Sequence, residues 1–263
     1  MHNSIGYRAH DEYETIRERH QLTQQQDTGL DLLAAGAGHM GIVLTRRQTR
    51  QFELYRDLLV DWNTRFNLTS VDDPAGIQTR HFLDSIAALP YIPTSADSLI
   101  DIGSGAGFPG IPLHILRPDM RTTLLEATGK KCVFLETVVK TLRLSNVSVV
   151  HGRAELQAQV WGFRERFTVA TARAVASLPV LAELALPFVK LGGYALFWKK
   201  GDMIAEIAAS TRANRSLGGT AGEVHDVVLP GLDEHLIVAV QKVEPTSSRY
   251  PRRPGIPERQ PLS

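Results

Sequence analysis

From Pro93 onward the chain alternates between short apolar runs of β character and helical runs, and few folds accept that pattern. The β runs are SLIDI (98–102), TTLLE (122–126), VSVVH (147–151), FTVATA (167–172) and YALFW (194–198). Helical stretches follow them near 110–117, 129–143, 177–188 and 202–217. A strand that reaches the next strand through a helix returns in the same direction. The pattern therefore predicts a parallel sheet covered by helices, with right-handed crossovers. Two more runs, near 223–229 and 235–243, flank Pro230-Gly231 and predict a closing antiparallel pair. The expected fold is α/β: a doubly wound, mostly parallel, Rossmann-like sheet of about seven strands. Ligands of such sheets bind beyond the carboxyl ends of the strands, so chemistry is sought there.

The front of the chain reads differently. Residues 1–27 hold few apolar side chains and end in Gln24, Gln25 and Gln26, which predicts a disordered extension. From 28 to 93 the pattern is helical. Thr45 is suited to cap a helix whose Phe52, Tyr55, Leu59, Trp62 and Phe66 recur at helical spacing, a face that packs on the rest of the protein. A second short helix is expected over 78–89, stopped by Pro90 and Pro93. The core then spans 94–246, and 247–263 is a basic tail expected to pack near the active site.

The densest chemical signal is the run from Leu99 to Gly110, LIDIGSGAGFPG, a strand entering a glycine-rich turn. Glycines there let the backbone adopt positive φ and let a ligand approach closely. Two frames compete. Gly105, Gly107 and Gly110 satisfy the G-x-G-x-x-G dinucleotide pattern, with acidic Glu126 following at a suitable distance. Gly103, Gly105 and Gly107, with Asp101 just before, form the arrangement usual for S-adenosylmethionine. That donor lacks a pyrophosphate, and an acidic group suits its cationic end. Glu126 could accept ribose hydroxyls in either frame. Spacing favours the methyl donor without closing the other possibility. Further along, His151-Gly152-Arg153-Ala154-Glu155 ends the third strand, where an adenine is commonly held, and Arg173 ends the fourth. Arg173 could equally be a surface ion pair, and Glu155 a helix-start glutamate.

Composition bounds what these groups can serve. Hydrophobic residues make up 43% and charged residues 22%, an ordinary globular balance. Cys132 is the sole cysteine, so a disulfide framework is excluded, and a buried helical thiol is the expected reading. No apolar run approaches the roughly 20 residues that span a bilayer. The polar start lacks a signal-peptide apolar stretch, so membrane and secreted readings are set aside in favour of the cytoplasm. A net charge of +1 would count against a nucleic-acid partner, but it sums unlike regions. Residues 1–44 hold 3 basic and 6 acidic side chains, whereas 244–263 hold 4 and 2.

Several ordered motifs together resemble one family. IDIGSGAGFPGIPL, LLEATGKK, GRAE, TARAVASLPVLAELALPFVKLGG and the tail YPRRPGIPERQPL are similar to the bacterial glucose-inhibited division protein B family, the ribosomal RNA small subunit methyltransferase G enzymes. WNTRFNLTS (62–70) and RHFLDS (80–85) extend the likeness, which covers about residues 45–263. The resemblance implies an S-adenosyl-L-methionine-dependent methyltransferase acting on N7 of a guanine in 16S rRNA, with the small ribosomal subunit as partner; a monomer is expected. It implies donor contacts from Gly103, Gly105 and Phe108 in the loop, from Glu126, Ala127 and Thr128 after the second strand, from Ala154 and Glu155 by the adenine, and from Arg173, which would lie near the methyl and is the best candidate for a substrate-side contact. Lys200 and the tail pair Arg252 and Arg253 would border the RNA. Residues 1–27 have no counterpart.

The chemistry fits this target permissively. Methylation at pyrimidine C5 needs a cysteine nucleophile, and Cys132 sits in a predicted helix away from the strand ends. Exocyclic amines are usually served by an Asn/Asp-Pro-Pro-aromatic tetrapeptide after the fourth strand, where this chain reads Ala172-Arg173-Ala174-Val175. Guanine N7 already presents a lone pair, so positioning and charge accommodation suffice. His81 and Asp84 could form an acid/base pair, but a capping or interdomain hydrogen bond suits their place outside the sheet better. No cluster has metal-ligand spacing, and no metal is expected. RNA contact is expected from Arg46, Arg47 and Arg50, from Lys130 and Lys131, from Lys199 and Lys200, and from the tail arginines, provided that folding gathers them at one sheet edge. A nicotinamide-dependent oxidoreductase and a non-catalytic RNA-binding module are the alternatives.

Overall fold

The computed structural model describes residues 29–173, 176–201, 203–232 and 235–262; the expected extension at 1–27 lies outside the described residues. Seven strands form one sheet in the order β3-β2-β1-β4-β5-β7-β6. They are β1 (Ser98–Ile102), β2 (Arg121–Glu126), β3 (Val147–His151), β4 (Phe167–Ala172), β5 (Val189–Lys200), β6 (Glu223–Val227) and β7 (His235–Gln241). β1 to β5 pair in parallel, and β7 lies antiparallel between β5 and β6, so the mostly parallel sheet expected from the alternation is what forms. β1 and β4 are buried along their whole length, as strands covered on both faces must be.

Before the sheet come α1 (Asp31–His39), α2 (Arg46–Asn63) and a helical run, α3 (74–86), whose middle, Ile77–Leu83, is widened to a π-helix. Thr45 caps α2 as expected. Its Oγ1 accepts the Gln48 N–H (3.3 Å), while Gln48 Oε1 accepts the Thr45 N–H (2.9 Å). Phe52, Tyr55 and Leu59 are fully buried, and with Phe82 they share one core with Phe108, Ile111 and Phe134 of the sheet half. The helical front is therefore welded to the sheet rather than tethered to it.

Within the sheet half run α4 (Gly110–Leu116), α5 (Gly129–Thr141), α6 (Ala154–Gln157), α7 (Leu178–Ala185), α8 (Ile204–Ser216) and α9 (Ile256–Arg259). α4 and α5 follow β1 and β2, so each starts at the carboxyl edge of the sheet and ends at its amino edge. Gln48 Nε2 of α2 donates to Ile115 O at the end of α4 (3.2 Å), and Gln51 Nε2 donates to Leu142 O just past α5 (3.0 Å). At its other end α2 packs Trp62 on Phe134 (5.4 Å between centroids). α2 thus begins at the amino edge and runs to the carboxyl edge.

The tail is built into the fold. Tyr250 is buried in the core beneath α7, and Arg164 Nη1 donates to its carbonyl (2.9 Å). Arg252 Nε and Nη2 grip the carboxylate of Glu183, which is fully buried in α7, at 2.9 and 2.6 Å. Arg252 Nη2 also donates to Gln260 O (2.8 Å). Arg252, expected to border RNA, thus spends its Nε and Nη2 donors on contacts within the protein. Removing it strands a buried carboxylate, so Arg252→Ala should cost about 3 kcal/mol, read as a lower urea midpoint. Arg253→Ala, at an exposed position, should shift stability by less than about 0.5 kcal/mol. Equal midpoints for the two variants would contradict the anchor.

Candidate active site

β1 delivers the glycine turn to the carboxyl edge. Gly103, Gly105 and Gly107 have φ of 65°, 59° and 98°, a region that disfavours side chains. Their surroundings separate the two sequence frames. A Cβ on Gly103 would meet nothing within 4 Å, and one on Gly105 only the Gly103 carbonyl at 3.8 Å. A Cβ on Gly107 would strike Ile111 Cδ1 and Tyr55 Oη, both at 2.5 Å, and one on Gly110 would strike Leu124 Cδ2 at 2.6 Å. Gly107 and Gly110 are glycines for internal packing, whereas Gly103 and Gly105 face open space.

The dinucleotide frame needs its second glycine open to a pyrophosphate at a helix N-terminus. Here that glycine, Gly107, is walled in. The Gly110 N–H at the start of α4 already donates to Asp101 Oδ2 (3.1 Å). Asp101 is fully buried beneath the turn, where its Oδ1 also accepts the Thr171 hydroxyl (2.9 Å). It therefore braces the loop from below rather than facing a ligand's cationic end. Burial raises its carboxyl to about 6.

Glu126, at the end of β2, closes the open side of the loop. Its Oε2 accepts the Gly105 N–H (2.9 Å) and its Oε1 the Thr128 N–H (2.7 Å). A carboxylate has about four acceptor directions, so both oxygens keep capacity for a ligand's hydroxyls. Ala127 and Thr128 are exposed beside it, and the imidazole of His151 contacts Ala127 O (3.0 Å). Ala154 and Glu155 start α6 at the end of β3, both buried. The Glu155 carboxylate is engaged by Arg153 (2.9 Å) and by the Gly255 N–H of the tail (3.1 Å), so it ties the tail to this edge.

Phe108 and Arg173 form the far wall. Phe108 is buried, stacks on His81 (4.4 Å, 16°), and carries the Arg173 guanidinium 5.1 Å above its ring. Arg173 Nη1 donates to Asp84 Oδ2 (2.8 Å) and to Arg80 O (3.1 Å), and Nη2 donates to His81 Nδ1 (3.2 Å). A guanidinium only donates, so Nδ1 accepts and the ring proton sits on Nε2, directed at Thr69 Oγ1 (2.8 Å). Burial and then the Arg173 charge hold His81 down at about 3. His81 and Asp84 therefore bridge the helical front to β4, the interdomain reading, with neither imidazole nitrogen left as a base. Arg173 is an ion pair, but a half-buried one inside the site.

The basic groups do not gather at one edge. Lys130, Lys131 and Lys200 lie at the carboxyl edge, and Lys130 Nζ sits 5.9 Å from the Phe66 ring centre. Lys199 is used internally, on Ala176 O (3.0 Å) and Glu206 (2.8 Å). Arg46 and Arg47, at the start of α2, are at the opposite, amino edge. No pattern in the sequence fixes which way a helix preceding β1 lies across the sheet. Sequence reasoning also missed Trp198, whose indole N–H donates to Asp84 O (2.8 Å) and seats the helical run on β5; a buried Trp needing a partner was the available signal. Cys132 is buried, with its Sγ 3.4 Å from Glu126 O, and burial raises its thiol. Among the described residues no group of three or more His, Cys, Asp or Glu is arranged to hold a metal ion. Nor is any described helix long and apolar enough to cross a membrane.

Residues 48–237 match the family model of rRNA small subunit methyltransferase G. The chain belongs to that family. A ribosomal RNA small subunit methyltransferase G from Roseiflexus sp. (strain RS-1) is 44% identical over 233 residues, covering 89% of this chain and all of that one. One from Chloroflexus aggregans is 46% identical over 222 residues, covering 84% of this chain and 93% of the relative. In structure, a solved chain from a Haloferax volcanii complex of a methyltransferase activator with a methyltransferase superposes with a TM-score of 0.51. It is 13% identical, covers 71% of this chain and 98% of that one, and speaks to fold alone.

In this rRNA small subunit methyltransferase G family member, the buried His81 ring has a pH signature. The unfolded imidazole titrates near 6.5 and the folded one near 3, so the unfolded state takes up the proton across that window. Stability from neutral His81 is full above 6.5 and is lost as pH falls toward 3. Between pH 7 and 4.5 the wild type should lose about 2 kcal/mol more than His81→Asn, measured by urea midpoints. A difference independent of pH would contradict the buried neutral ring.

Proposed function

We propose that this chain is an S-adenosyl-L-methionine-dependent methyltransferase that methylates N7 of a guanine in 16S rRNA of the small ribosomal subunit, working as a cytoplasmic monomer. The observation that carries the reading is the pair of open glycines, Gly103 and Gly105, beside the Glu126 carboxylate at the carboxyl edge, in a chain of this family. The residues fit such a donor. The open faces of the glycines give room for close approach, Glu126 retains acceptors for ribose hydroxyls, and Ala127, Thr128, Ala154 and Glu155 border the space where an adenine would lie. The bound donor would supply an electrophilic methyl group on a sulfonium.

The protein's own part is positioning and charge. Guanine N7 carries a lone pair and loses no proton on methylation, so a site whose imidazole is neutral and engaged at both nitrogens suits it. Positive charge moves from the sulfonium to the purine as the methyl transfers. Arg173 would oppose that movement if bare, but Asp84 at 2.8 Å neutralises it while Phe108 holds its plane. The walled-in Gly107 and the capped start of α4 weigh against the nicotinamide alternative. Lys130, Lys131 and Lys200 flank the opening and would meet RNA phosphates.

Two measurements test this. Calorimetry should give binding of S-adenosylhomocysteine and none of NADH, and Gly103→Arg should abolish the former by filling the loop while the fold stays intact by circular dichroism. Labelled donor should deliver its methyl group to small-subunit rRNA, recovered as 7-methylguanosine. NADH binding without S-adenosylhomocysteine binding would sink the reading, and donor binding without transfer to free rRNA or to subunits would favour a non-catalytic RNA-binding module.

A further inference from the structure

The amino edge of the sheet, opposite the candidate active site, carries a belt of cations that the proposed reaction leaves unused. Arg46 and Arg47 open α2, Lys140 and Arg143 lie at the end of α5, Arg121 starts β2, and Arg166 precedes β4. All six are exposed. Of these six, only Arg121 forms an ion pair with another described residue, with Asp97 at a long 3.5 Å. At the carboxyl edge Arg80, Arg173 and Lys199 are each paired with a carboxylate within 2.8 Å, whereas Lys130, Lys131 and Lys200 at its rim form no ion pair with another described residue. At the amino edge the nearby acids are few. Asp119 is exposed, and Asp97 is tied down by Thr168, Ser98 and Lys190, contacts that hold its carboxyl well below the usual range.

Helix stability accounts for Lys140 in the last turn of α5, where the dipole favours a cation, but not for the pair on α2. Arg46 and Arg47 sit in the first turn of α2, which has no acidic residue, where the helix dipole disfavours cations. An acidic pair there would serve the fold better. The edge is also sculpted. A hollow of about 450 Å³ opens between Arg121 and Arg166, its lining including Thr123, Ser148 and Asn146. It exists because the β3–β4 crossover carries only the four-residue α6, leaving this end of the sheet face uncovered. Beside it Trp161 is 82% exposed, with the Arg166 guanidinium 4.6 Å from its ring. A smaller hollow of about 160 Å³ lies beside Arg47, between Thr45, His114 and Ser145.

We propose that the amino edge is a second RNA-docking surface, at which the Arg46/Arg47 and Arg121/Arg166 pairs bind the phosphate backbone of a structured RNA whose target base enters at the opposite edge. The inference rests on the rRNA substrate of the proposed function and adds to it a place and a distance. Strands of five or six residues separate the two edges by about 17–20 Å. An RNA that engages both edges must span at least that distance around the protein, which a folded rRNA domain does. Thr123, Ser148 and Asn146 beside the two arginines suit phosphate oxygens, and Trp161 offers a stacking face to an unpaired base.

The test compares Arg46→Ala/Arg47→Ala and Arg121→Ala/Arg166→Ala with the wild type, measuring affinity for 16S rRNA or small subunits across a salt series. Each double variant should bind at least 10-fold more weakly near 0.1 M salt. Each should also flatten the slope of log affinity against log salt by roughly 2, one per lost phosphate contact. S-adenosylhomocysteine affinity should not change, and the melting temperature of Arg46→Ala/Arg47→Ala should stay level or rise. Affinity and slope equal to the wild type would overturn the proposal. So would variants that bind RNA normally while losing adhesion to phosphatidylglycerol vesicles, which would assign the belt to a membrane. Weaker RNA binding by the variants, with no methyl transfer even by the wild type, would uphold the docking surface and defeat the proposed activity instead.

Discussion

The buried carboxylate of Asp101 is the constraint on which the rest of the site depends. A carboxylate without solvent must find donors from the protein. Asp101 finds the Gly110 N–H and the Thr171 hydroxyl, fastening β1, α4 and β4 to one another. Ser104 adds its hydroxyl to the Asp101 carbonyl (3.0 Å), which bends the chain into the glycine turn directly above. Everything at the carboxyl edge inherits that bend. It turns the open faces of Gly103 and Gly105 outward, brings Gly105 N–H to Glu126, and swings Phe108 into the stack with His81 and Tyr55. The helical front then locks the loop from outside, because the Tyr55 hydroxyl donates to Ala106 O.

The two edges of the sheet have opposite electrostatic character, and the net charge of +1 conceals it. At the carboxyl edge the cations nearest the site, Arg173 and Lys199, are matched to carboxylates, a setting in which a transferred positive charge meets less repulsion, while Lys130, Lys131 and Lys200 stand at its rim. At the amino edge exposed arginines stand largely unmatched, a setting that attracts polyanions and depends on salt. One face is arranged for chemistry on a charged donor, the other for affinity to a charged polymer.

Much of this was legible in the sequence. Alternating runs predicted the strands and their direction, because parallel strands need crossovers, and the Thr45 cap and the Phe52–Leu59 stripe marked α2. The two glycine frames could not be separated from spacing, since the difference between Gly105 and Gly107 is what a Cβ would strike, and Tyr55 lies far off in the chain. Arg252 read as a surface arginine because its partner, Glu183, is 69 residues away and apolar periodicity says nothing about a buried charge. The π-helical widening at Ile77–Leu83, which sets His81 and Asp84 toward Arg173, left no trace in composition.

The measurement that bears most directly on the loop, the edge and the target together is a chemical-cleavage map of 7-methylguanosine in 16S rRNA. It compares cells with and without this protein. Cleavage at a guanine should disappear when the protein is removed, return with the wild-type chain, and stay absent with Gly103→Arg. Identical maps in the two strains would contradict the proposed reaction, and full restoration by Gly103→Arg would contradict the assignment of the glycine loop as the donor site.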